Sequence, residues 1–409
     1  MKEQFRYSGD LCIPLFPALA SRNSSPLLRR ITVIVAVVGL VACSSGQSRE
    51  GGTDAVAIAA AAAFHPAFTS KLSKAEADAQ KAGSIKLLFA GDTHFQWGVA
   101  DLQQAEGRMA PLAALAPVFH AADFRVVNLE TSISDRGQPF VRKSYIFNTP
   151  PENISVLQNL KLDLALLGNN HSMDMGRVGL ERTLRALRRA GIASVGSGPD
   201  SAQAPGPFLF SRGGVRFAVL SYSGIGEAST FSTRSRPGVA NMSDLSIYQR
   251  VRAARRVADQ VIVSLHWGNE YYPRADRKQI KFARALIDAG ATAIIGHHPH
   301  VPQGIEVYRG RVICYSLGNF LFGSINEDQT HNIMAQLEVD PKSKQIDRVR
   351  IMPVLGRYRD TGNHRLRLLD ANEAGEFWEE FYVLVRDLSR PTVKKLRVYP
   401  DGSGTISVR

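Results

Sequence analysis

Cysteine is scarce in this chain: three in 409 residues, too few for a disulfide scaffold. Long apolar runs are scarcer still. After the first fifty residues no stretch near twenty apolar residues occurs, which argues against a protein of several membrane spans. Acidic side chains are outnumbered, giving a formal net charge of +13. Residues 1–43 hold five basic and two acidic groups, so the remainder keeps +10. Such a balance suits anionic partners, phosphorylated compounds or acidic polymers among them, and is equally common on proteins that bind none. What is present is 44% hydrophobic and 21% charged, the composition of a globular protein with an ample core.

The one place where the chain is built to meet a membrane is its N-terminus. Arg29 and Arg30 precede the apolar residues 31–41, which run into Ala42, Cys43, Ser44 and Ser45. A positive flank, an apolar core too short to span a bilayer and small residues make a secretory signal. The string LVAC at 40–43 is similar to a bacterial lipobox, in which the cysteine becomes the lipid-bearing mature terminus. The expectation is a lipoprotein signal over residues 1–42, lipidation at Cys43 and a protein held on the extracytoplasmic side of a bacterial membrane. Residues 43–83 are polar and alanine-rich with few large side chains, which predicts a flexible tether without a core of its own. Cys314 lies in an apolar run and is expected to be a buried structural thiol.

From residue 85 onward one pattern recurs: a short Val/Ile/Leu/Phe run, then a polar residue able to bind a proton or a metal, then a glycine-rich or helical return. Residues 85–90 lead to Asp92 and His94, 124–127 to Asn128 and Glu130, and 162–167 to Asn169, Asn170 and His171. Residues 261–265 lead to His266, and 292–295 to His297, His298 and His300. Between them lie helical periodicities. Leu180, Leu184 and Leu187 share a face opposite Arg182, Arg185, Arg188 and Arg189, ending at Gly191; Ile280, Ala283 and Ile287 form a second stripe ending at Gly290. Buried strands alternating with helices predict an α/β fold with functional groups at the carboxyl ends of the strands. Taken singly, His266 reads as a polar residue after a strand, Asn170 as a helix cap, and Asp92 and Glu130 as loop carboxylates. Together they make a set of Asp, Glu, Asn and His without thiolate, including Asp92-x-His94 and His298-x-His300. Oxygen and imidazole donors suit Mn, Fe or Zn, and carboxylates can bridge two ions.

In order and spacing, GDTHFQWG (91–98), VVNLETSIS (126–134), LLGNNHSMDMG (166–176), GIASVGSG (191–198), IVSLHWGNEY (262–271), IIGHHPHVPQGIE (294–306) and CYSLGNFLF (314–322) resemble the CapA family of bacterial capsule-synthesis proteins. That family is named for poly-γ-glutamate capsules, and its fold is similar to that of the calcineurin-like metallophosphoesterases. The resemblance implies a four-layer α/β/β/α sandwich over residues 84–356, with residues 357–409 as a helix-and-strand extension packing on the same domain. It implies two divalent ions: Asp92, His94 and His300 on one, Asn170, His266 and His298 on the other, and Glu130 as the bridge where the wider superfamily uses an aspartate. His297 precedes the histidine pair, and the x-between spacing selects His298 and His300. His171 would be an outer-sphere proton donor.

Two ions sharing a water would lower its pKa and stabilise an in-line displacement. Arg142 and Lys143, in FVRKSYIFNTP (140–150), are candidates for holding phosphate or carboxylate oxygens, or else form a solvated turn. Trp97 and Trp267 follow metal-motif residues and are expected to pack in the core, with lining a cleft as the alternative. The implied function is a metal-dependent hydrolase of capsule or exopolymer biosynthesis acting on a phosphoester or related bond. The alternatives are a non-catalytic accessory protein that binds or exports an anionic polymer, and a sugar- or peptide-binding lipoprotein. Expected partners are an anionic envelope polymer or phosphorylated compound, the membrane through the lipid, and capsule-synthesis membrane proteins, with no nucleic acid.

Overall fold

The computed structural model describes residues 83–323, 331–356 and 364–409. The signal, the Cys43 lipidation site and the linker as far as residue 82 lie outside the described residues. No helix among the described residues is long and apolar enough to cross a membrane.

Two large mixed sheets organise the chain. The first has nine strands. Its parallel half runs Ile85–Thr93, Phe124–Leu129, Leu164–Leu166 and Ala193–Val195. His331–Asp340 continues it antiparallel on the other side of Ile85–Thr93, followed by Gln345–Leu355, Gly404–Ser407 and Leu396–Val398. The C-terminal strands are thereby built into the same sheet as Ile85–Thr93. The second sheet has six strands. Val215–Ser223, Gln260–His266, Ala293–His297 and Arg311–Cys314 are parallel, and each edge is an antiparallel hairpin, to Phe208–Arg212 and to Ile305–Tyr308.

These strands read as continuous apolar runs because both of their faces are covered. On the first sheet Leu87, Phe89, Val126 and Leu164 share a core with Phe210, Phe217, Val219, Ile262 and Ile295 of the second. Phe124 stacks on Phe210 across that core with centroids 3.8 Å apart. The alternate residues Leu88, Ala90, Val127 and Ala165 face Leu115, Phe119, Val156 and Leu187 from helical segments. On the second sheet Leu220, Val261, Val263 and Leu265 meet Ile247, Val251, Ala283 and Leu286.

The two helices expected from periodicity form at Gly176–Arg189 and Arg277–Ala289. The second opens on a capping box, in which the Asp276 side chain accepts the Gln279 N–H and the Gln279 side chain accepts the Asp276 N–H. Its stop is Gly290, at φ +120°. Helix Ala371–Leu388 lays Phe377, Trp378, Phe381 and Val385 into the core shared by the sheets. Cys314 is fully buried, and burial pushes its thiol up to about 12.

Candidate metal centre

The parallel halves of both sheets end on one side, where Asp92, Glu130, Asn170, His171, His266, His298 and His300 come together. Two glycines permit the strand ends to meet. A Cβ on Gly91 would fall 2.0 Å from Gly318 O, and one on Gly296 would fall 1.8 Å from Tyr315 O. Without side chains there, Asp92 N donates to Gly318 O at 3.0 Å and Leu317 N to Gly296 O at 3.1 Å. The segment 315–319 is drawn in beside both strands, and it brings Asn319 to His300, with Oδ1 and Nδ1 2.9 Å apart.

Asp92 sits at the centre, fully buried. Its Oδ1 accepts from Asn128 Nδ2 at 2.8 Å, and its Oδ2 accepts the His298 N–H at 3.1 Å. His297 and His300 place Nδ1 atoms 3.3 Å from the same carboxylate. Burial alone would raise Asp92, but these two histidines hold it well below the usual carboxylate range. Glu130 is the opposite case. It is fully buried, neither carboxylate oxygen has a hydrogen-bond partner among the described residues, and burial, then the Asp92 charge, push it well above the ordinary value. A buried carboxylate with both oxygens unpaired is costly unless a cation stands beside it.

Three sets of side chains bring possible ligand atoms within 4.8 Å of one another: Asp92, Glu130 and His300; Glu130, His266 and His298; and Glu270, His298 and His300. Glu130 belongs to the first two. His266 Nε2 lies 3.4 Å from Glu130 Oε1 and 2.8 Å from Asn170 Oδ1, which adds Asn170 to the second set. Burial keeps His266 and His298 well below their ordinary pKa, the latter at about 3, so both rings are neutral and have a lone pair to give. His298 Nδ1 is itself unpaired among the described residues. These oxygen and imidazole donors are of the kind that divalent Mn, Fe or Zn take.

His94 lies outside the three sets. Its ring is enclosed by Phe147, stacked at 4.4 Å, and by the edges of Phe322 at 3.9 Å and Trp97 at 5.0 Å. Its Nδ1 takes the Gln96 N–H at 3.1 Å, while Nε2 is buried without a partner among the described residues. His171 Nδ1 is 2.7 Å from Asp174 Oδ2, and its Nε2 is 3.9 Å from Glu130 Oε1. Burial brings this imidazole down to about 4, against the pull of Asp174. Lys143 is tied inward: Nζ is 2.5 Å from Asp174 Oδ1 and donates to Asn170 O at 2.8 Å. Arg142 is exposed. The two tryptophans part company. Trp267 is core, its Nε1–H donating to Tyr315 O at 3.0 Å. Trp97 is 37% exposed and meets Tyr145 at 5.6 Å.

Supporting groups extend the site. Asn169 Nδ2 donates to Asn128 Oδ1 at 3.0 Å and to Leu129 O at 2.9 Å, while its Oδ1 accepts the His171 N–H at 3.1 Å. That chain of amides ties the Asn170–His171 loop to the Asp92 carboxylate. Asn128, Asn169 and His297 stand in the strand-end pattern without having been given a role. Asp174, Asn319 and Glu270 were missed. Asn319 follows an apolar run and a glycine, the same signal as the others, and Asp174 sits three residues past His171. Glu270 carries no such signal.

A family model described as bacterial capsule synthesis protein PGA_cap matches residues 86–324. The chain is 32% identical over 236 residues to the "PGA biosynthesis protein CapA" of Bacillus subtilis, covering 57% of this chain and 62% of that one. It is 36% identical over 211 residues to a "Probable polyglutamine synthesis accessory protein" of Mycobacterium tuberculosis, covering 49% and 55%. The matched stretch thus spans less than two thirds of these relatives' own length. Among solved structures, a 5'-nucleotidase precursor from Thermus thermophilus aligns with a TM-score of 0.40 and 14% identity, over 77% of this chain and 61% of that one, too distant a likeness to bear on chemistry. The family match covers more than half of the chain and contains the site residues from Asp92 to His300, so the chain belongs to the PGA_cap family of bacterial capsule synthesis proteins.

Proposed function

We propose that this chain is an envelope-anchored, CapA-like protein of capsule or exopolymer synthesis, of the poly-γ-glutamate type, whose site holds two divalent ions and hydrolyses a phosphoester or related bond. The observation that carries the reading is Glu130, common to the Asp92–His300 set and the His266–His298 set with both of its oxygens unpaired among the described residues. Asp92, His94 and His300 would hold one ion, and Asn170, His266 and His298 the other. Bound there, the ions would supply Lewis acidity and a lowered water pKa. The protein's own part is proton handling. Asp174 fixes His171 through Nδ1, which leaves Nε2, on the Glu130 side, as the atom that takes up or gives a proton. Lys143 neutralises Asp174 and holds the loop carbonyl of Asn170, which positions the loop that carries His171.

The same proposal takes the fold as an α/β/β/α metallophosphoesterase-like sandwich, supported by one core between the sheets and one under the helices of each. It takes residues 1–42 as the lipoprotein signal and Cys43 as the anchor. The test is metal content of the parent and of Glu130→Gln, with turnover of a generic phosphodiester and of poly-γ-glutamate. Fewer than one ion per chain at saturating Mn, Fe or Zn would sink the two-ion reading. In its place would stand the non-catalytic accessory role, which the name of the Mycobacterium tuberculosis relative favours.

A further inference from the structure

We infer that Glu270 is a further ligand of the metal centre, closing it from the solvent side; this rests on the two-ion reading above. A carboxylate oxygen of Glu270 lies within 4.8 Å of ligand nitrogens of both His298 and His300, the two histidines that the two sets divide between them. The residue is exposed, as His298 and His300 are not. An exposed acid near a histidine would mean little on a loose loop. This one is pinned on both sides of Glu270. Before it, Trp267 N donates to His297 O at 3.0 Å and Trp267 Nε1 to Tyr315 O at 3.0 Å. After it, Tyr271 N donates to Pro299 O at 2.7 Å and the Tyr272 carbonyl accepts from Gln303 Nε2 at 2.8 Å. The Glu270 loop is therefore bonded directly to the turn that carries His298 and His300.

Backbone strain gathers at that contact. Tyr271, His298 and His300 all have positive φ, at +62°, +94° and +59°. Non-glycine residues hold such angles at a cost, and only where the surroundings impose them. Two of the three are His298 and His300 themselves, and the third directly follows Glu270. Charge favours the same assignment. Two divalent cations against the Asp92 and Glu130 carboxylates leave positive charge in excess, which a third carboxylate lessens, and carboxylate oxygen is a ligand for the ions this donor set suits. Because Glu270 keeps its solvent, it can leave the ions without stranding a buried charge, so an incoming substrate oxygen could take its place.

The test is a Mn²⁺ titration of the full-length chain by calorimetry, comparing the parent with Glu270→Gln, Glu130→Gln and, as an exposed remote control, Glu376→Gln. The expected result is that Glu270→Gln weakens at least one Mn²⁺ site about ten-fold or more, while Glu376→Gln titrates like the parent. If Glu270→Gln also titrates like the parent while Glu130→Gln loses binding, the inference is overturned and the two-ion reading stands. If the parent takes up none of Mn²⁺, Fe²⁺ and Zn²⁺ in the same titration, both fall together.

Discussion

The middle and the carboxyl end of the same strands are built on different physics. In Ile85–Thr93, Leu87, Leu88 and Phe89 are buried by apolar neighbours, and three residues later Asp92 is buried just as deeply among polar groups. Gln260–His266 repeats the change, from Val261, Ile262, Val263 and Leu265 to His266. The middle is satisfied by contact alone. The end holds a carboxylate, Glu130, and imidazole nitrogens that nothing among the described residues satisfies. Apolar packing across two sheets is what allows the end to gather groups whose satisfaction calls for a cation.

That division can be broken from either side. The largest stability loss is expected from the middle: Phe124→Ala, which removes the ring stacked on Phe210 between the sheets, should cost about 3–5 kcal/mol in denaturant unfolding. A cost below about 1 kcal/mol would mean that the sheets are not pressed together there. At the end, His171→Ala should leave unfolding nearly unchanged but slow hydrolysis about 10² to 10⁴-fold if its Nε2 carries a proton in the reaction. Unchanged turnover would reduce His171 to packing. Glu130→Gln should abolish stabilisation by metal. Mn²⁺ at about 100 times its Kd should raise the parent's stability by about 2.7 kcal/mol and that of the variant by little, read as the shift in unfolding midpoint on adding the ion.

The smallest effect belongs to a surface pair remote from this contrast. Arg216 bonds Asp259 and holds its carboxyl at about 2. A carboxylate lowered on folding stabilises above its unfolded pKa and loses that contribution as pH falls through the folded value. The sharpened expectation is a loss between about pH 4 and pH 2, worth under about 1 kcal/mol for so exposed a pair. Arg216→Ala should reduce it, leaving the part held by the residue 216 N–H and Lys344, as acid unfolding curves would record.

The buried strands could be read from sequence because a strand covered on both faces leaves an unbroken apolar run, and the candidate site residues could be read because each closely follows such a run. The antiparallel strands His331–Asp340 and Gln345–Leu355 left no comparable signal. Gln336 and Glu338 interrupt the first, and Arg348 and Arg350 the second, although the pair lies within the first sheet. The pairing of Lys143 with Asp174 has no signal in the sequence, because the two lie thirty-one positions apart and only the fold brings them together. Trp97 and Trp267 follow similar motifs, yet one lines the rim and the other fills the core, a difference set by tertiary surroundings. Glu270 stands four residues past the end of Gln260–His266 and not directly after it; its position comes from a loop bonded to another loop.

The hydrogen bond from His298 N to Asp92 Oδ2 joins residues 206 positions apart. On a ribosome, the residues that surround Asp92 and Glu130 are still unmade long after those two carboxylates have been synthesised. The acids must wait, charged and solvated, until the second sheet has been translated and has docked. Contacts of this sequence separation also slow folding, since the intervening loop must close before anything is gained from it. Loading with metal would then report completion of the whole molecule, since a chain truncated before residue 298 would lack one member, His300 or His298, of each set that contains Glu130.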